Sequence, residues 1–252
     1  MVNLLTVSWV VFIKMQTHMN DNAVKDLASL EKKLGITFAN KNLLTQALVH
    51  RSFLNENRSF PIGHNERLEF LGDAVLELVV TEYLYNQYDN PEGELTNWRA
   101  SLVNSQMLAK LTTELNIEDL LYLSRGEQKD AHSKARQKIL ANVFESIVGA
   151  IYMEHGYDAA KRFISDHLLV KLDHILENKL YLDPKTYFQE LAQDKLGITP
   201  TYKLIKEEGP DHDKNFTVAV YLGGEQVATG IGTSKQEAQV KAAQMALKVK
   251  GW

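Results

Sequence analysis

The stretch NERLEFLGDAVLE, residues 65–77, combines the apolar pattern of a buried helix with four carboxylates. Glu66, Glu69, Asp73 and Glu77 recur at spacings of three, four and four. At about 100° per residue, these side chains fall within an arc of about 80° on one helix face. Like charges on one face repel each other unless water or a cation faces them. The stretch therefore predicts a helix whose acidic face meets either solvent or a bound cation.

Helical periodicity extends outward from this stretch and dominates residues 22–179. No β-branched alternating run interrupts it, so we expect an all-α domain over residues 21–178. The helices predicted there are 22–34, 40–50, 65–87, 94–115, 135–154 and 157–177.

The pattern changes after LDPKTYFQELAQDKLGITP, residues 182–200. Pro184 suits a helix N-terminus, and Gly197 and Pro200 close that helix. Alternating runs follow in TYKLIKEE, NFTVAVYLGG and EQVATGIG, and Thr233 or Ser234 then caps a last helix. The order predicts a small α+β domain of α-β-β-β-α topology over residues 183–252.

Composition excludes several classes of protein. The 252 residues are 44% hydrophobic and 24% charged, which is typical of a globular chain. The absence of Cys excludes a disulfide scaffold, Cys-ligated zinc and Cys catalysis, and it favours a reducing, cytoplasmic location. A formal net charge of −4 argues against a generally basic nucleic-acid binder, so contacts with a polyanion must come from local patches. No glycine-rich phosphate loop occurs, and we expect no small-molecule cofactor.

An apolar run, LLTVSWVVFI, lies near the start of the chain at residues 4–13. It is shorter than the about 20 residues that span a bilayer, and it lacks the basic region and cleavage site of a signal peptide. We expect residues 1–20 to be a disordered or non-native extension, and we expect no membrane association.

A second acidic position is Glu145, within the strongly apolar helix predicted for ILANVFESIVGAIYME. Gly72 and Gly149 lie inside the two acidic helices, where each costs about 1 kcal/mol relative to Ala. That cost is understandable if the helices approach closely. Oxygen ligands converging from two packed helices would suit Mg²⁺ and metal-assisted hydrolysis of a phosphodiester. A solvated edge of a helical bundle is the alternative.

The motifs HNERLEFLGDAVLEL, PEGELTNWRASLVN, LSRGE and ILANVFESIVGAIYME closely resemble those of ribonuclease III and cover about residues 25–177. DPKTYFQELAQ, GPDHDKNFTV and GTSKQEAQVKAAQMAL resemble a double-stranded RNA-binding domain. The resemblance implies a ribonuclease III endonuclease domain followed by a double-stranded RNA-binding domain. It implies a homodimer that cuts double-stranded RNA with Mg²⁺, or with Mn²⁺ as a substitute. The products would carry 5'-phosphates and 3'-hydroxyls with short 3' overhangs, with ribosomal and messenger RNA precursors as the expected substrates.

The resemblance also implies roles for individual residues. Asp73 and Glu145 match catalytic carboxylates, and Glu66 and Glu92 match auxiliary acidic positions. Phe70 matches an aromatic side chain that enters a socket on the partner subunit, and an ordinary core phenylalanine is the alternative. The expected metal ligands are Glu69, Asp73, Asn142 and Glu145.

Asn142 departs from the family pattern, which ordinarily has Asp three residues before the last catalytic Glu. The amide oxygen has similar reach but lacks the negative charge that helps to hold a divalent ion. Three interpretations follow: a natural enzyme that still cleaves, an engineered substitution, or a catalytically impaired double-stranded RNA-binding dimer. We favour the enzyme because every other matched acidic position is retained.

The small domain has residues suited to duplex RNA, which is recognised through its minor grooves and the phosphates between them. Gln189 and Glu190 lie on its first helix, and His212 lies in the loop between two strands. Ser234 and Lys235 begin the last helix, where a phosphate would also meet the helix dipole. Ser234 is equally well explained as a helix cap.

Overall fold

The computed structural model describes residues 25–130, 133–210 and 214–252. The extension predicted for residues 1–20, and His212, lie outside the described residues. Within the described ranges, no helix has the length and apolarity needed to cross a membrane.

Helices and one three-stranded sheet make up the described chain. In chain order the helices before the sheet are α1 Leu27–Leu34, α2 Lys41–Ala47, α3 Arg51–Glu56, α4 Glu66–Gln87, α5 Glu92–Leu102, α6 Ser105–Glu114, α7 Arg125–Lys129, α8 Lys134–His155, α9 Tyr157–His167, α10 Leu172–Glu177 and α11 Pro184–Leu196. The strands are β1 Thr201–Glu208, β2 Asn215–Leu222 and β3 Glu225–Gly232, followed by helix α12 Lys235–Lys250. Short 3₁₀ turns occupy Glu118–Leu120 and Leu169–Lys171. The fold is the expected one: a helical domain followed by an α-β-β-β-α domain.

The described residues form two compact units. The first contains the residues up to Val80 together with Val103–Leu168. Its core surrounds α8, which buries apolar residues on most of its circumference, including Val143, Phe144 and Ile147. Because α8 is surrounded by protein, a carboxylate on it must be paired, hydrogen-bonded or neutralised by a shift in its pKa.

The second unit contains Thr81–Leu102 and Leu169–Trp252. Within it the strands form an antiparallel sheet in the order β1-β2-β3. The core of this domain is built from α11, the sheet and the alanine-rich face of α12, with Phe188 fully buried. A Cβ on Gly230 would lie 2.2 Å from the Ala242 backbone nitrogen, so α12 packs directly on the backbone of β3.

Local capping explains where several helices begin and end. Asp183 accepts a hydrogen bond from the Thr186 N–H, and Pro184 occupies the first turn of α11. Gly197 ends this helix with a positive φ of 68°. Ser234 is the N-cap of α12 and accepts from the Glu237 N–H, so the structure selects Ser234 over Thr233.

Two helices predicted as continuous are interrupted. The prediction of one helix over 94–115 is wrong because Asn104 adopts an extended backbone and caps a new helix, α6, by accepting from the Met107 N–H. The predicted helix 157–177 ends at His167 and resumes at Leu172 after a 3₁₀ turn. Leu168, Leu169 and Leu172 are buried there, so packing of these side chains accompanies the break.

Candidate active site and RNA-binding surface

The acidic stripe lies on the first four turns of α4. Glu66 and Asp73 are exposed, whereas Glu69 is partly buried. Arg51 on α3 contacts Glu66, with 3.4 Å between Nη1 and Oε1. His64 Nδ1 lies 3.7 Å from the other oxygen of Glu66. The positive charge of Arg51 therefore partly offsets one carboxylate of the stripe.

Glycines bring α4 and α8 into direct backbone contact. A Cβ on Gly72 would lie 1.8 Å from the carbonyl oxygen of Glu145, and one on Gly149 would lie 2.2 Å from that of Leu68. Real Cβ atoms do not approach so closely, so any larger residue would push the helices apart. The close approach inferred from the two glycines is confirmed.

This contact places Glu145 of α8 within the electrostatic influence of the α4 stripe. Burial, followed by the charges of Asp73 and Glu69, raises the pKa of Glu145 to about 7. Burial also raises the pKa of Glu69, while a hydrogen bond from the Asn142 side chain and the charge of Lys138 lower it. Glu69, Asp73, Asn142 and Glu145 therefore belong to one interacting group.

The side chains of this group are suitable ligands for a divalent cation, but they are not already arranged as a metal site. Among the described residues, no cluster of three or more His, Cys, Asp or Glu side chains is arranged to hold a metal ion. Instead, the Asn142 amide hydrogen-bonds to Glu69. Carboxylates that repel each other at a partly buried position are stabilised by a nearby dication, and carboxylate and amide oxygens are ligands that hard divalent ions accept. The donor set thus fits a divalent ion.

Two further expected residues lie on the surface. Phe70 on α4 is 81% exposed, so the alternative of a core phenylalanine is wrong. Glu92, at the start of α5, is exposed and accepts a hydrogen bond from the Thr96 hydroxyl at 2.9 Å. It belongs to the second compact unit, whereas the acidic group belongs to the first.

The expected RNA-binding residues lie on α11 and at the start of α12. Gln189 and Glu190 are exposed on α11, on the same face as Gln193 and Asp194. The ammonium of Lys235 lies 5.8 Å from the centre of the Phe216 ring. Ser234 is exposed, and its hydroxyl is used as the cap of α12.

The sequence interpretation missed two cations near the acidic group, Arg51 and Lys138. Lys138 precedes Asn142 by four residues on α8, which is one helical turn, so the spacing contained a signal. Arg51 comes from a separate helix, and no local pattern indicated that it would reach Glu66.

Comparison with known proteins agrees with this organisation. The family described as "Ribonuclease-III-like" matches residues 40–172, and the "Double-stranded RNA binding motif" matches residues 184–250. Ribonuclease 3 of Enterococcus faecalis is 43% identical over 220 residues, which cover 87% of this chain and 95% of the relative. Ribonuclease 3 of Natranaerobius thermophilus is 44% identical over 223 residues, covering 88% and 95%.

Solved structures support the same assignment. Two structures of the nuclease domain of ribonuclease III from Campylobacter jejuni each have a TM-score of 0.50 and 41% identity, and the matches cover 56% of this chain and 98% and 95% of those chains. The family match covers more than half of the chain, and the relatives match almost all of their own length. The chain therefore belongs to the ribonuclease III family, the endoribonucleases that cleave double-stranded RNA.

Proposed function

We propose that this chain cleaves double-stranded RNA by Mg²⁺-assisted hydrolysis at the group formed by Glu69, Asp73, Asn142 and Glu145. The observation that carries the proposal is the backbone contact between Gly72 and Glu145, which places the carboxyl of Glu145, with its pKa raised to about 7, beside the charges of Asp73 and Glu69. Perturbed carboxylates from two helices, held together by a glycine contact, are typical of a functional site rather than of a solvated helix edge.

The metal ion would be held by the carboxylate oxygens and by the amide oxygen of Asn142. When bound, a divalent ion supplies Lewis-acid stabilisation of the charge at phosphorus and activates water. Mg²⁺ is the proposed ion because it prefers hard oxygen ligands and retains several waters, and Mn²⁺ is the proposed substitute.

The protein's own residues prepare the site for a cation. Without metal, the carboxyl of Glu145 holds a proton over a substantial fraction of the population near neutral pH, because its pKa is about 7. The Asn142 side chain binds Glu69 and adds no charge of its own, so the four-residue group carries at most three negative charges. A bound divalent ion would favour the ionised form of Glu145, and the carbonyl oxygen of Asn142 is not consumed by the hydrogen bond that its amide N–H donates to Glu69. Glu66 and Glu92 would assist as auxiliary acidic residues.

The C-terminal domain would hold the duplex. Gln189 and Glu190 would contact a minor groove from α11, and His212 would reach the next minor groove. Lys235 and Ser234 would meet phosphates between the two grooves at the start of α12. The exposure of Gln189, Glu190 and Lys235 supports these assignments.

The proposed assembly is a homodimer in which the exposed Phe70 side chain enters the partner. The similar Campylobacter jejuni domain has a region involved in dimer formation. An exposed aromatic side chain on a helix is also a common interface anchor. The proposed domains are residues 21–178 and 183–252, the proposed location is the cytoplasm, and the proposed substrates are ribosomal and messenger RNA precursors.

A cleavage assay on long duplex RNA, with Mg²⁺ and with Mn²⁺, tests the proposal. We expect endonucleolytic products with 5'-phosphate and 3'-hydroxyl ends, no cleavage in EDTA, and loss of cleavage in Glu145→Gln. Asp166→Asn, which changes an exposed acid on α9, is the control. RNA that is bound but left intact with both metals would instead identify a catalytically silent double-stranded RNA-binding dimer.

A further inference from the structure

Few cations stand on the helix face where the phosphates are expected. Beyond Lys235, the first two turns of α12 contain Gln236, Glu237 and Gln239. Lys241, one turn after Glu237, forms an ion pair with it, with 3.0 Å between Nζ and Oε1. Hydrogen bonds from the Thr233 hydroxyl and then from Lys241 hold the pKa of Glu237 low, at about 2, so this carboxylate is ionised and offsets the charge of Lys241. Lys235 alone would supply little of the charge that duplex binding needs.

A lysine from the other helix lies against this face. The ammonium of Lys185, in the first turn of α11, donates a hydrogen bond to Gln239 Oε1 at 2.6 Å. The two residues are 54 positions apart in the chain, so the fold brings them together. Gln239 follows Lys235 by four residues, and one helical turn rises about 5.4 Å. The charge of Lys185 therefore stands beside α12 about one turn beyond Lys235.

The contacts of Lys185 hold its charge in position without neutralising it. Its ammonium lies 5.1 Å from the centre of the Tyr202 ring on β1. Burial raises the pKa of Tyr202 to about 12, so the ring is neutral at physiological pH. Gln239 is neutral as well, and Lys185 is only partly buried. The described contacts thus orient the ammonium while leaving its positive charge available to an anion.

The position of Lys185 on α11 also suits duplex RNA. It precedes Gln189 by four residues, so the two side chains lie on the same side of that helix. Gln189 lies on the exposed face of α11 with Glu190, Gln193 and Asp194. Lys185 consequently stands where this exposed face of α11 meets the side of α12 on which the phosphates are expected.

We propose that Lys185 is a phosphate-binding residue for double-stranded RNA, and that Gln239 and Tyr202 position its ammonium. Lys185 on α11 supplies a positive charge beside position 239 of α12, which is occupied by the neutral Gln239. This inference rests on the proposed function of the C-terminal domain and adds a residue to it. A purely structural tether between the two helices is the competing explanation.

The salt dependence of binding distinguishes a phosphate contact from a tether. Binding of the full chain to a short RNA duplex is measured by fluorescence anisotropy in EDTA, from about 50 to about 200 mM KCl. Removing one phosphate contact reduces the slope of log K against log[salt] by about 1. We expect this reduction in Lys185→Met, whose affinity should differ from that of the parent most at low salt. Between about 50 and about 200 mM KCl, the affinity of the parent should therefore fall by a factor about four times larger than the affinity of Lys185→Met.

Matched variants isolate the charge at this position. Lys195→Met removes another α11 lysine, which lies 5.5 Å from the Trp252 ring centre, and should keep the parent slope. The double variant Lys185→Met, Gln239→Lys moves the charge to α12 and should restore that slope. If Lys185→Met is poorly folded, Lys185→Gln keeps a hydrogen-bond donor for Gln239 and serves in its place.

The outcomes separate this inference from the proposed function. An unchanged slope in folded Lys185→Met or Lys185→Gln would overturn the role of Lys185 in phosphate binding. Failure of the parent itself to bind duplex RNA would overturn the proposed function of the C-terminal domain. A shallower slope in the Lys185 variants, with parent-like Lys195→Met, would establish the phosphate contact.

Discussion

A Cβ on Gly72 would lie 1.8 Å from the carbonyl oxygen of Glu145, so helices α4 and α8 touch through their backbones at the candidate active site. This contact brings a carboxylate from each helix into one electrostatic group. Because the group depends on this contact, a small shift of either helix changes its geometry even when all of its side chains are retained.

Gly72→Ala should destabilise the nuclease domain. The added methyl group meets a backbone carbonyl that cannot move without shifting α8, and overpacking of this kind costs about 1–3 kcal/mol or more. Gly93→Ala is the matched control, because a Cβ there meets nothing within 4 Å and α5 gains helix propensity. Urea unfolding followed by circular dichroism measures the difference. Equal stability of the two variants would contradict the close contact.

Asn142→Asp should increase Mg²⁺-supported cleavage of double-stranded RNA. The substitution adds a negative charge beside Glu69, which strengthens attraction for a divalent ion, and losses around metal sites typically cost about 10–100-fold in affinity or activity. Asn142→Ala should decrease cleavage because it removes the amide oxygen. Initial rates over a Mg²⁺ titration give both comparisons. If Asn142→Asp needs the same Mg²⁺ concentration as the parent and reaches the same maximal rate, the role of Asn142 as a ligand is refuted.

Glu145→Gln should stabilise the metal-free protein at alkaline pH. Folding raises the pKa of Glu145 from its ordinary value of 4.5 to about 7, so the folded state favours the protonated carboxyl. The parent therefore loses stability as the pH rises from 4.5 to about 7. After allowance for partial solvent screening, we expect ionised Glu145 to lower the free energy of unfolding of the parent by about 1–2 kcal/mol at pH values above that range.

The stability difference at Glu145 is measured by thermal unfolding in EDTA. Glu145→Gln should melt several degrees above the parent at about pH 8 and close to it at about pH 4.5, because about 1 kcal/mol shifts Tm by about 2–4 °C in a protein of this size. Asp166→Asn, at an exposed position, should show no such pH-dependent gain. Coincident melting curves for Glu145→Gln and the parent at alkaline pH would show that Glu145 carries no penalty.

Phe70→Ala should weaken dimerisation while leaving the fold intact. Phe70 is 81% exposed, so its removal costs the monomer little packing. Truncation of an aromatic interface anchor costs about 2–4 kcal/mol of association energy, or at least about 30-fold in the dissociation constant. Met153→Ala, at a position that is 59% exposed on α8, is the control. Sedimentation over a range of protein concentrations gives the constants, and a Phe70 variant as dimeric as the parent would exclude the proposed anchor.

Ser234→Ala and Ser234→Asp should separate capping from RNA binding. Loss of the cap costs about 0.5–2 kcal/mol of stability, whereas Asp retains the hydrogen bond to the Glu237 N–H. The Asp variant should therefore be stable but bind duplex RNA more weakly, because its charge repels phosphate. Melting temperature and duplex affinity are measured on the same samples. Parent-like affinity in the Asp variant would place phosphate away from the start of α12.

Much of the secondary structure could be predicted because its causes lie within a few residues of each other. The helix predicted at 65–87 is observed as Glu66–Gln87, and the three strands and the α12 cap occur where alternation and Ser234 indicated them. The predicted helix 94–115 failed because apolar periodicity continues through Asn104, whose capping side chain interrupts it. The break after His167 has no comparable local signal.

The candidate site could be predicted only as a set of residues. Spacing identified the acidic stripe on α4, the apolar pattern around Glu145 identified a second acidic position, and resemblance to ribonuclease III added Asn142. None of these could indicate that Glu145 has a pKa near 7, because that value depends on burial and on charges brought by another helix. Nor could they indicate that Asn142 binds Glu69.

The amino-acid order alone determines the elements of this protein, because periodicity, caps and helix-ending glycines act through neighbouring residues. It also determines membership of the ribonuclease III family, since long motifs retain both charged and apolar positions. Tertiary packing decides the depth at which Glu145 is buried and the placement of the Lys185 ammonium beside Gln239, 54 residues away. Both depend on desolvation and on contacts between distant segments, and these arise only when the helices pack.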